Sequence, residues 1–187
     1  MLTQQQISEF RELLHASQNP LFLFDNDTDG LCAFLLLRRL SGRGKGVAIK
    51  SFPDLNASYI RKLAEFNPDY VFVLDKPLMA KEFVEAALSR GIKVVWLDHH
   101  PLQEHEGVYY FNPLSNNPAS NEPTSYLAHQ IANRKEDMWL TMLGCIGDWF
   151  MPEFSPEFQS QYPDIFSDAK TAPQALYETQ LGKMAKI

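Results

Sequence analysis

The residues with the clearest chemical potential in this chain are aspartates and histidines at the ends of apolar runs. Asp25, Asp27 and Asp29 alternate in the run Asp25-Asn26-Asp27-Thr28-Asp29-Gly30, Asp75 closes YVFVL, and Asp98-His99-His100 closes VVWL. Asp148 follows MLGCIG. Carboxylates at alternate positions beside a buried strand repel one another unless a positive charge neutralises them, and a cation is the natural partner. A site drawn from these carboxylates and one of the two imidazoles is rich in oxygen. That suits Mn²⁺, with Mg²⁺ as its substitute, better than Zn²⁺. The set exceeds what one ion needs. Two ions about 3.5–4 Å apart, bridged by a shared carboxylate, would use it all and would stabilise both the attacking and the leaving oxygen of a phosphoryl displacement. The chemistry implied is phosphoester hydrolysis.

Each residue also has an ordinary structural explanation. Asp29 can cap a helix, Asp75 can begin a turn before Pro77, and Asp148 can end a helix in a Gly-Asp turn. The histidine pair can be one core and one surface residue. The metal reading rests on all of them arriving together at strand ends that face one crevice.

Positioning them requires a sheet. Strand-like runs recur at 21–24, 47–49, 70–74, 94–97 and 108–111, and QISEFRELLHA, LCAFLLLRRL, ASYIRKLAEF and AKEFVEAALSR carry helical periodicity. This alternation predicts an α/β fold, a mainly parallel five-stranded sheet with helices on both faces and a helical C-terminal part. The strand runs are continuous rather than alternating, as in strands covered on both sides. LCAFLLLRRL is apolar nearly all round and should be a central helix. In such sheets ligands bind beyond the carboxyl ends of the strands, where these acidic residues stand. After Phe111, a Pro- and Asn-rich loop leads to helices around YLAHQIA and DMWLTMLGCIG, the first capped by Thr124 or Ser125. Residues 1–150 are expected to form the metal-binding domain. Residues 151–187 should be an irregular Pro- and aromatic-rich segment followed by one uncapped helix, PQALYETQLGKMAKI.

The 187 residues are 45% hydrophobic, enough for one compact domain. No membrane span or signal peptide is apparent, which points to a cytoplasmic protein. Cys32 and Cys145 lie in apolar segments and read as reduced core residues. A net charge of −6 argues against coating nucleic acid through bulk electrostatics, although bound divalent ions would reverse the local sign. The basic group Arg38, Arg39, Arg43, Lys45 and Lys50, with Phe52 and Tyr59, is either a phosphate- and base-contacting surface or a solvated helix end with ordinary packing.

The segments FDNDTDG, VLDKP, LDHHP and GCIGDW resemble, in order and separation, the four signature motifs of the DHH phosphoesterase superfamily, in its RecJ-like form. The resemblance spans Leu21 to about Met151. It implies that Asp27, with Asp25 nearby, holds a first metal, that Asp29, His99 and Asp148 hold a second, and that Asp75 bridges them. It also implies that His100 contacts substrate phosphate and that Asp98 orients the histidines. Pyrophosphatase-like members carry a histidine where this chain has Leu23, so the resemblance favours the RecJ-like side. The implied function is metal-dependent hydrolysis of phosphodiester bonds in single-stranded nucleic acid, oligonucleotides or dinucleotides. Alternatives are a non-catalytic DHH-like scaffold of a replication or repair complex, and a phosphatase or pyrophosphatase acting on a small molecule. The smaller C-terminal substrate-binding domain of active members has no counterpart here, so that domain or a partner chain is expected to complete the protein.

Overall fold

The computed structural model describes residues 1–52 and 54–185. Helix α1 (Gln4–Ala16) opens on a capping box between Thr3 and Gln6. There follow β1 (Pro20–Asp25), α2 (Thr28–Ser41), β2 (Lys45–Ile49), α3 (Ile60–Phe66), β3 (Tyr70–Leu74), α4 (Lys81–Leu88), β4 (Lys93–Leu97) and β5 (Val108–Phe111). The strands form one parallel sheet in the order β2-β1-β3-β4-β5. Among the described residues this is the predicted α/β architecture, with each strand within a few residues of its expected place.

Side-chain alternation divides the core in two. Phe22, Phe24, Phe72, Leu74, Val95 and Leu97 point to the face covered by α1, α2 and α5 (Thr124–Ala132). Leu21, Leu23, Val71, Val73, Val94 and Trp96 point to the face covered by α3 and α4. Burial on both faces explains why the strand runs are continuous, and helix α2, packed against the sheet, α5 and α6 (Met138–Gly147), is the expected central helix. Both cysteines are buried and unpaired with each other. No helix among the described residues is long and apolar enough to cross a membrane.

The C-terminal part differs from expectation. The part beyond Asp148 is helical, as expected, but more so than a single helix: irregular stretches at 149–154 and 162–171 alternate with α7 (Ser155–Gln161), α8 (Ala172–Glu178) and α9 (Gln180–Ala185). Phe158, Phe166, Ala175 and Leu181 make a third apolar cluster with Met138, Met142 and Ile146 of α6. Helical spacing of these aromatics outweighs the prolines, which sit in first turns where no amide donor is needed. The single final helix is also two helices, broken at Thr179, and α8 is capped by Thr171. Lys186 and Ile187 of the predicted helix lie outside the described residues.

One close approach sets the geometry of the acidic end. A Cβ on Gly30 would lie 2.5 Å from the Asp25 carbonyl oxygen and 2.8 Å from its nitrogen. Only glycine lets α2 start this close to the end of β1. Gly30→Ala is therefore expected to cost about 3 kcal/mol through overpacking against rigid backbone, seen as a lower denaturant midpoint with an unchanged slope. A midpoint within experimental error of the wild type would show that the two elements can separate freely.

Candidate metal centre

The strand order reverses between β1 and β3, so the crevice beyond their carboxyl ends is where an open α/β sheet places its ligand. Asp25 is the last residue of β1, and Asp27 caps α2 by accepting from the Gly30 amide at 2.9 Å. Asp29, in the first turn of α2, is buried and does not cap its own helix. Its two oxygens accept the backbone amides of Thr124 (2.8 Å) and Ser125 (2.9 Å), the free donors at the start of α5. This corrects the expectation that Thr124 or Ser125 caps α5: both lie inside the helix, and a carboxylate from a distant segment supplies the cap.

Asp75 follows β3 in the left-handed region (φ 59°), which a non-glycine residue rarely adopts, and is buried. Its Oδ1 accepts from Thr124 Oγ1 at 3.0 Å and lies 3.4 Å from His99 Nε2. The Asp27 carboxylate lies close enough to Asp75 to interact with it. Asp148, the residue after α6, brings Oδ2 to 3.7 Å from His99 Nε2. His100 Nδ1 lies 2.8 Å from Asp98 Oδ1, and its backbone amide donates to Asp98 Oδ2 at 3.1 Å. Asn112 holds the His100 carbonyl at 2.9 Å.

Two sets of ligand atoms lie within 4.8 Å of one another: Asp75, His99 and His100, and Asp29, His99 and Asp148. Of the residues expected to bind metal, the fold thus brings Asp29, Asp75, His99 and Asp148 together, with His100 beside them. Asp25 and Asp27 fall in neither set among the described residues. Asp25 instead faces Lys76, which the sequence reading passed over. The signal was present in VLDKP, a lysine directly after a strand-end aspartate, but the partner of its ammonium is invisible without the fold.

The three arginines of the basic group serve the framework. Arg38 donates to the Gly44 carbonyl, Arg39 pairs with buried Asp137 at 2.8 Å, and Arg43 holds the carbonyls of His15 and Ser17. Tyr59 is partly buried and accepts from the Lys50 amide, whereas Phe52 is exposed.

The carboxylates sit in an unfavourable field. Burial, then Asp29, Asp27 and Asp98, push the Asp75 carboxyl well above its usual range. Burial, then Asp29 and Asp25, raise Asp27, and the close Gly30 amide only partly offsets this. Asp148 is pushed up to about 6 by burial, then by Asp29 and Asp27, against the opposing pull of His99 and His100. The hydrogen bond to Asp98 raises His100. A centre of crowded carboxylates short of positive charge, with Asp29 and Asp75 buried and an imidazole among them, matches a hard divalent cation.

These shifts give a signed pH dependence. Raised aspartate values in the fold mean that the folded chain binds more protons than the unfolded one between about pH 4 and 6. The stability they contribute is full below the unfolded value and is lost as pH rises through the folded one. Metal-free protein is expected to melt higher at pH 5 than at pH 7.5, and saturating Mn²⁺ should reverse that order because it binds the ionised carboxylates. Thermal melts at both pH values, with chelator or Mn²⁺, would show it; an order that Mn²⁺ leaves unchanged would contradict it.

Solved structures share this fold. Exonuclease RecJ bound to manganese superimposes with a TM-score of 0.62 at 18% identity, over 79% of this chain and 44% of that one. RecJ in complex with Mn²⁺ from Thermus thermophilus gives 0.64 at 14%, over 92% and 30%. The DHH domain of a ribosomal-protein family member gives 0.68 at 16%, over 97% and 50%. The chain therefore spans half or less of the length of each of these. No curated protein sequence matches it. The family model for the DHH family N-terminal domain matches residues 21–146, which contain every aspartate and histidine of the centre except Asp148, so the chain belongs to the DHH family.

Proposed function

We propose that this chain is a divalent-metal-dependent phosphoesterase that hydrolyses phosphodiester bonds in single-stranded nucleic acid, oligonucleotides or dinucleotides. The observation that carries this reading is the convergence on His99 of Asp75 from β3, Asp29 from α2 and Asp148 from α6. Mn²⁺ or Mg²⁺ would be held by Asp29, Asp75, His99 and Asp148, and a second ion, expected from the sequence, would have only Asp27 and Asp75 to hold it. When bound, such an ion supplies Lewis acidity and lowers the pKa of a coordinated water to generate a nucleophile near neutral pH.

The chain's own residues orient the rest. Asp98, completely buried, accepts from His100 Nδ1, and in the imidazolium form Nε2 can donate to a substrate phosphate oxygen. Because Asp98 favours the imidazolium, His100 can also protonate the leaving oxygen. Asp29 is fixed by two helix amides and Asp75 by Thr124, so neither ligand has to be ordered when metal arrives. A non-catalytic scaffold has no use for carboxylates held in such repulsion, which weighs against that alternative. The RecJ-like neighbours make nucleic acid or another phosphorylated substrate the natural class. The location within the cell is proposed as cytoplasmic on the sequence reading alone.

The test is hydrolysis of a fluorescent single-stranded oligonucleotide, a cyclic dinucleotide and bis(p-nitrophenyl) phosphate by the full chain, with Mn²⁺ or with chelator. Metal-dependent cleavage of any of them supports the reading, and the pattern assigns the substrate. If the folded, Mn²⁺-bound chain leaves all three intact, the hydrolase reading fails for this chain.

A further inference from the structure

Lys76 directly follows Asp75, and its side chain is completely buried. Its ammonium lies 3.4 Å from Asp25 Oδ2 and 3.3 Å from Asp54 Oδ1, and it donates to the Lys50 carbonyl at 3.2 Å. Asp54 Oδ1 is itself buried and has no hydrogen-bond partner among the described residues, so the ammonium is its compensating charge. The other Asp25 oxygen accepts from the Asn26 amide at 2.7 Å and from Ser51 Oγ at 2.8 Å. Trp96 Nε1 donates to the Lys76 carbonyl at 3.1 Å and fixes the backbone from which the lysine extends. Both oxygens of Asp25 therefore have partners supplied by the protein, and one of those partners is a cation, whereas the partners of Asp29 are neutral amides.

Resting on the reading that the acidic centre binds divalent metal, we propose that Lys76 is a resident cation of this centre. Its ammonium closes a triad with Asp25 and Asp54, withdraws Asp25 from the ligand set and limits the chain to one tightly held divalent ion, at Asp29, Asp75, His99 and Asp148. A second ion between Asp27 and Asp75 finds only those two side chains, because Asp25, the carboxylate that would complete its ligand set, is already held by the ammonium. The lysine does not reach substrate, since it has no exposed surface. It is a positioning residue that sets the metal count.

Lys76 sets Asp25 apart from the other candidate ligands. Asp29 and Asp148 share a space with His99, and Asp75 shares one with His99 and His100, whereas Asp25 shares one with an amine. Charge balance follows the same division: the buried ammonium serves the β1 and β2 side of the crevice, and the divalent ion serves the β3, β4 and α6 side.

Calorimetric titration of the full chain with Mn²⁺, paired with electron paramagnetic resonance, tests this. Wild type should take up one ion tightly and give an uncoupled Mn²⁺ signal. Lys76→Met should bind a second ion at least tenfold more tightly than wild type does, with a spin-coupled signal, whereas Lys76→Arg should keep the single site. Asp25→Asn guards against a Lys76→Met chain that fails to fold: it should leave the tight site's affinity within about threefold of wild type, whereas a direct ligand would lose an ion. Two ions of comparable affinity in wild type, no gain in Lys76→Met, or a lost ion in Asp25→Asn would each overturn the inference while leaving the phosphoesterase reading standing. A wild-type chain that binds no Mn²⁺ overturns both.

Discussion

Asp75→Asn is expected to abolish tight Mn²⁺ binding and lower phosphodiester cleavage at least about 10³-fold, while making the metal-free chain more stable. The loss follows from position. Asp75 stands at the reversal of strand order, 3.4 Å from His99, and no other carboxylate among the described residues joins His99 to the β3 side of the crevice. A neutral amide is a poor ligand for a hard divalent ion, and losing a ligand removes the charge stabilisation that ion gives to a phosphoryl transition state. The gain follows from the same burial. The Asp75 carboxyl is pushed well above its usual range because it is desolvated among Asp29, Asp27 and Asp98. An amide escapes that repulsion, can still accept from Thr124 Oγ1, and tolerates the left-handed backbone at φ 59°. A gain of roughly 2 kcal/mol, or about 4–8 °C in Tm for a chain of this length, is the order expected. Calorimetry and a thermal melt in chelator read the two effects independently. A variant that loses both stability and metal would make Asp75 a structural residue instead.

His100→Gln should lower kcat by about 10²–10³-fold with Mn²⁺ binding unchanged. The imidazole is held by Asp98 through Nδ1 at 2.8 Å and through its own backbone amide at 3.1 Å, so its free edge is oriented before substrate binds. The hydrogen bond to Asp98 raises its pKa above the ordinary histidine value, against the opposing effect of burial. If the charged form is the working one, activity should fall on the alkaline side above that value, and the fall should be absent from the residual activity of His100→Gln. The competing role is ligation, because His100 also lies within reach of Asp75 and His99. A variant that loses Mn²⁺ in proportion to activity would place His100 among the ligands and remove it from substrate contact.

Much of the fold was legible because its determinants are local. Burial on both faces makes a parallel strand continuously apolar, so five runs announced five strands, and helical periodicity between them announced the crossovers. The C-terminal part was less legible. Prolines at 152, 156, 163 and 173 mimic a loop, but Pro156 and Pro173 occupy first turns of helices, where the ring costs nothing. Only the packing of Phe158 and Phe166 against α6 makes these turns form.

The candidate site divides along the same line. Its kind of chemistry is written into the order of residues, because carboxylates and histidines placed after strands must emerge at one edge of a parallel sheet whatever the details of packing. So is the place of Gly30, at the point where β1 gives way to a helix. What each carboxylate does follows from the packed fold and from nothing more local. Asp29 caps a helix that begins 95 residues later, Asp75 accepts from that helix's threonine, and Asp25 faces a buried lysine. Those partners come from segments remote in the chain, and a carboxylate's charge, ligand role and pKa depend on what lies within a few ångströms of its oxygens, which sequence spacing does not encode.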